Sequence, residues 1–226
     1  MSLYFRLLST WLATIRAAIA RLPGRGHAAR TQECMDALEY GSATPVALPA
    51  QSSVTHLYER VHLADAFAIL LPASGSADPE VLARFLFAQQ PAWVGGLMRV
   101  RDALVACFGL KTGRQLAALA SGAQAARVGI FRIYASSASE IVLGEDDRHL
   151  DFRVSVLYSG GAARGSGARL TVSTVVHCHN LLGRSYILSI APFHRLVVKA
   201  SLRRAARIGW PQAGASDAPL HTHFIP

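Results

Sequence analysis

Lysine is nearly missing from this chain: two of its 23 basic residues are Lys and the other 21 are Arg. Charge of either sign is sparse, at 16% of 226 residues, while half the residues are apolar. That balance excludes a chain disordered throughout. Cysteine is limited to Cys34, Cys107 and Cys178 with no Cys-x-x-Cys pair. Neither a disulfide framework nor a cysteine-based zinc site is expected, and a reducing, cytoplasmic setting suits such usage. No apolar run approaches the roughly 18–20 residues of a bilayer span. The nearest, "YILSIAPFHRLVV", is broken by Ser189, Pro192, His194 and Arg195. Gly-x-Ser-x-Gly, His-Glu-x-x-His and Gly-x-Gly-x-x-Gly are all absent. No cofactor or metal is expected on motif grounds.

The basic excess sits at two places. Arg6, Arg16, Arg21, Arg25 and Arg30 fall in the first 30 residues without an acid, and Arg195, Lys199, Arg203, Arg204 and Arg207 repeat this near the end. The rest of the chain is close to neutral, so an anionic partner would meet one of these two segments. Nucleic acid is disfavoured, because aromatics are few and are not interleaved with the bases.

The opening residues, "LYFRLLSTWLATIRAAIARL", put Phe5, Leu8, Leu12, Ile15 and Ile19 on one helical face and Arg6, Arg16 and Arg21 on the other. Residues 1–22 are expected to form a basic amphipathic helix lying in a membrane interface through residues 3–22, or else a helix docked on its own domain or a disordered leader. Residues 23–53 read as a linker. A folded unit is expected over residues 54–208, with a tail at 209–226. Within that unit, "DAFAILLP" predicts a buried strand. Asp78 with Pro79 predicts a helix start, and Pro91 opens a second helix. From Arg127 the period becomes two and predicts four strand segments, followed by a long helix kinked at Pro192. The fold class is α+β: an antiparallel sheet with a long C-terminal helix.

The densest chemistry is "DDRHLDFRVSV", residues 146–156. Alternation sends Leu150, Phe152, Val154 and Val156 to one face and Asp147, His149, Asp151 and Arg153 to the other. In "ARLTVSTVVHCHN", Cys178 joins the apolar face while His177 and His179 take the polar one. Folding the hairpin about Ala163 and Arg164 sets Asp151 opposite Val175 or His177, and His149 opposite His177 or His179. Asp147, His149, Asp151, His177 and His179 should therefore share a patch. Such a set can bind a divalent ion, or act as base and orienter, with His149, Asp151 and His179 as candidate catalytic residues. A cross-strand hydrogen-bond ladder on a solvated face is the favoured account.

The segments "DAFAILLP", "PAWVGGLMRVRDALVACFGLKT", "VLGEDDRHLDFRVSV" and "VVHCHNLLGRSYILSIAPFH" together resemble a bacterial family known as domain of unknown function 2867. The matching positions include Asp146, Asp147, Arg148, His149, Asp151, Arg153, His179, Asn180, Arg184, Pro192, His194 and Arg195; His177 stands outside the pattern. The resemblance spans about residues 54–208 and implies a helix-grip fold of the START and Bet v 1 kind, with no established activity. It implies a small apolar or amphipathic ligand held between sheet and C-terminal helix. The expected lining is Phe67, Phe131, Phe152, Val154, Val172, Val176, Ile190 and Val197, with His194 as a polar contact. An enzyme built on the His/Asp patch and a peripheral membrane or partner-docking protein are the alternatives.

Overall fold

A computed structural model gives the structure of the protein, described over residues 41–106, 126–160 and 167–213. The expected helix over 1–22, the hairpin tip at 161–166 and most of the tail lie outside the described residues. Seven strands form one antiparallel sheet: β1 Thr44–Val46, β2 Leu63–Leu70, β3 Arg127–Val128, β4 Phe131–Ser136, β5 Glu140–Asp146, β6 Leu150–Ser159 and β7 Arg169–Cys178. Their spatial order is β1-β2-β7-β6-β5-β4-β3, so β3 to β7 make a meander and β2 closes against its last strand. Three helices accompany the sheet among the described residues: α1 Pro79–Ala88, α2 Ala92–Ala106 and α3 Leu181–Ile208.

The predicted signals account for most of these elements. Asp78 caps α1, its carboxylate accepting from the Glu80 and Val81 N–H groups, with Pro79 at the first helical position. Asn180 caps α3 in the same way, through the Gly183 N–H at 3.0 Å. That helix continues through Pro192 for 28 residues. Strict alternation gives the sheet two faces. The inner face turns Ile69, Leu143, Val156 and Leu170 toward Leu82 of α1, Leu202 of α3 and Trp210. This is the main core.

The expected linker differs at its end. Thr44–Val46 pairs with Ala66–Ala68, and the following residues cross the outer face of the sheet. There Val54 packs on Val142 and Val175. Beside them the buried Glu140 carboxylate accepts from Ser52 Oγ at 2.6 Å, Ser155 Oγ at 2.5 Å and the Ser53 N–H. The strap thus supplies two of the three groups that satisfy this charge, the third being Ser155 of the sheet. Burial works to raise the Glu140 pKa, but the hydrogen bonds from Ser155, Ser52 and Ser53 prevail and hold it below the ordinary glutamate value. A carboxylate shifted in that direction stabilises the fold above its unfolded pKa and loses that contribution as pH falls through its folded one. The melting temperature of the wild type should therefore exceed that of Glu140→Gln near neutrality, and the gap should close on acidification. A gap independent of pH would show that the strap does not depend on the charge.

Candidate functional site

The cluster at residues 146–153 is divided between the two faces of the sheet. Asp146 belongs to the outer face, where its Oδ1 lies 2.8 Å from Arg153 and its Oδ2 accepts from the Tyr134 hydroxyl at 2.7 Å. Burial works against the Asp146 charge, yet these bonds from Arg153 and Tyr134 lower its pKa. Tyr134 is pushed up to about 12 by burial and by its bond to Asp146, and Arg153 stacks 3.5 Å from the centre of its ring. Asp147 departs from the expected patch. It lies just past the end of β5 rather than at the start of β6, its N–H reaching Leu150 O across a tight turn, and its side chain joins Glu145 on the inner face. The turn reverses the parity on which the expectation relied.

His149 also leaves the patch. It sits in the turn, buried, with Nδ1 2.9 Å from Asn180 Nδ2. Because Asn180 Oδ1 already accepts from Gly183, the amide nitrogen must donate, which fixes His149 with its proton on Nε2. His149 therefore ties the hairpin turn to the start of α3. Asp151 and His179 do meet, at 3.1 Å, on the partly exposed outer face. The register that places them is Asp151 opposite His177. His177 is bounded by Tyr58, His62 and His179, with ring centroids 5.2–5.6 Å away, and its Nδ1 is 2.7 Å from Arg60 O. His62 Nδ1 accepts the Cys178 N–H, and burial, then Arg184, His177 and Arg60, push its pKa below the ordinary imidazole value. Among the described residues no three His, Cys, Asp or Glu side chains converge as a metal set. The outer patch is a hydrogen-bonded seam between the strap and the sheet, and it does not unite the three candidate catalytic residues.

The inner face holds something different. Between the sheet and α3 lies a cavity of about 250 Å³, bordered also by α1, α2 and the turn at Ile130 and partly open to the surface. Phe131, Phe152, Val154, Val172, Val176, Ile190, His194 and Val197 all line it. Phe67 does not; it is buried in the main core, with Lys199 Nζ 5.2 Å from its ring centre. Phe67 shares the inner face and stands opposite the lining residue Val172, but its ring packs into the main core beneath Lys199 of α3, while Leu63, four residues earlier on β2, reaches the cavity. Residues from the helices complete the wall, among them Leu86, Phe87, Leu97, Met98 and Ile187. The lining is overwhelmingly apolar.

Polar groups touch this wall at few points. Thr174 and Ser201 are both buried, and Ser201 Oγ has no hydrogen-bond partner among the described residues. His194 projects from α3, with Nε2 3.3 Å from Asp65 Oδ1, while Arg195 Nε lies 3.4 Å from Asp65 Oδ2. Both distances are within ion-pair range, but neither contact is aligned as a hydrogen bond. Asp65 is thus a buried carboxylate under loose restraint. It faces Thr174 directly across the β2–β7 ladder. The sequence carried a sign of it: Asp65 has the parity of Phe67 and Ile69, a charge on the buried side of a strand.

An open antiparallel sheet holding an apolar cavity against a long C-terminal helix defines an α+β protein compatible with a helix-grip architecture. The chain belongs to the family of proteins of unknown function DUF2867, whose model matches residues 57–201. No curated protein and no solved structure matches it. Among the described residues no helix is long and apolar enough to cross a membrane.

Proposed function

We propose that the protein binds a small apolar or amphipathic molecule between its sheet and α3, as a module of helix-grip, START-like type. The cavity carries this reading: eight of the nine residues expected to contact a ligand line it, and its size approaches the roughly 300–1,000 Å³ of small-molecule sites. The apolar wall gives waters in this cavity few partners. Each methylene that replaces them gains about 0.8 kcal/mol before the cost of immobilisation. Native mass spectrometry of the full-length protein, followed by denaturing extraction, tests the proposal. An apolar small molecule released in stoichiometric amount supports it. A protein that is empty and that no apolar probe of matching size perturbs would sink it.

A further inference from the structure

We infer that the outward face of α3 rests on a lipid surface of negative charge, its leucines entering the headgroup boundary and its arginines meeting the lipid phosphates. The inference stands apart from the ligand-binding reading, since an empty cavity would leave it untouched.

The helix has two sides of different character. One faces the cavity and the core through Ile187, Ile190, Val197 and Leu202. The other carries Leu181 and Leu188, each 76% exposed, and Leu196, 41% exposed. A single exposed leucine is ordinary. Here three fall on one side, for at about 100° per residue they lie within about 80° of arc. Arg184, Arg195, Lys199, Arg203 and Arg207 flank them on that side, along a helix of 28 residues and about 40 Å.

Charge on this side has one sign. No Asp or Glu occurs between Leu181 and Ile208. Asp65 is the one carboxylate in an ion pair with α3 among the described residues, through His194 and Arg195. Lys199 leans on the Phe67 ring. Arg184, Arg203 and Arg207 make no ion pair among the described residues.

Pattern and charge together select the occupant. A helix packing here as a coiled coil would need a second apolar row three or four residues from the first. Ser185, Pro192 and Lys199 hold those positions. A second copy of the chain would set one acid-free basic face against another, and the first 30 residues, with five arginines and no acid, would be repelled in the same way. Nucleic acid would satisfy the arginines but leave Leu181 and Leu188 against phosphate. An anionic bilayer matches both features. Leucines gain by leaving water at the acyl boundary, and guanidinium groups pair with lipid phosphates beside them.

Cosedimentation of the full chain with two kinds of vesicle tests this: phosphatidylcholine alone, and phosphatidylcholine mixed equally with phosphatidylserine. The wild type should bind the mixed vesicles about tenfold more tightly than the neutral ones, and added salt should erase much of that difference. Two double variants probe the face, Leu181→Gln with Leu188→Gln and Arg203→Glu with Arg207→Glu. Each should weaken binding to mixed vesicles about tenfold. All four positions are exposed, so both variants should melt within about 2 °C of the wild type. No binding to the mixed vesicles overturns the inference and leaves an acidic protein as the partner for this face. Equal binding to the two kinds of vesicle overturns it as well. Wild-type binding by both variants does the same, placing the vesicle contact elsewhere in the chain. So does a loss in only one of them, because the inference needs leucines and arginines on one surface.

Discussion

Val154→Trp should bind para-ethyltoluene roughly a hundredfold more weakly than the wild type, a loss of about 2.7 kcal/mol, without a matching loss of stability. Val154 lies on β6 in the middle of the inner face and lines the cavity. An indole placed there occupies the space a ligand would take. In a filled core the same substitution would force neighbours aside and cost about 1–3 kcal/mol. Here the ring has an existing space to enter, and its burial offsets most of the rearrangement. The two readouts separate the explanations. Weaker binding with an unchanged melting temperature marks a filled cavity, whereas a variant that melts far lower and still binds would show that the wall packs differently.

The second large effect belongs to Gly183, in the first turn of α3. A Cβ built there would overlap the carbonyl oxygen of His149 and lie 3.1 Å from its carbonyl carbon. The obstacle is backbone, in a turn whose neighbouring His149 ring is itself held by Asn180, so neither side can yield cheaply. Gly183→Val should therefore destabilise the protein by about 3 kcal/mol or more, toward the upper end of overpacking costs. For a chain of this size that corresponds to a melting temperature lower by roughly 6–12 °C. Thermal denaturation of the purified variant measures it. A shift of only a degree or two would mean that α3 can lift away from the hairpin turn without consequence.

The sheet was legible because alternation is strict where one face is dry. Parity alone limited Asp151 to two partners across the hairpin, and the one observed, His177, is among them. Cys178 joins Leu150 and Ile187 in the apolar cluster, as its phase requires. The cap at Asp78 was equally readable, a short polar side chain just ahead of Pro79 and apolar periodicity, whereas Asn180 shows its capping role only in the structure. The errors share a physical origin in places where period and phase break. Asp147 lies beyond the strand end, and the turn hands it to the opposite face. Thr44–Val46 is three residues long and contains Pro45, which an edge strand tolerates but no pattern announces. His149 was legible as polar but not as the partner of Asn180, 31 positions away. Distance along the chain hides such pairs. Asp65 was hidden differently: it reads as the polar flank of a strand until the strand is seen to begin two residues earlier, at Leu63.

The strap across the outer face has a practical meaning for where this unit can be cut. The family match begins at residue 57, yet Ser52 and Val54 lie before it and close over Glu140, Val142 and Val175. At the other end the match stops at residue 201, while Leu202, Ala205 and Trp210 are buried in the core and Gln212 bridges to Gly75. A fragment trimmed to the matched span would expose apolar surface at both termini and leave the Glu140 carboxylate with Ser155 alone of its three donor residues. The folded unit is therefore longer than its sequence signature, and any shortened version should keep at least Ala43 through Ala213.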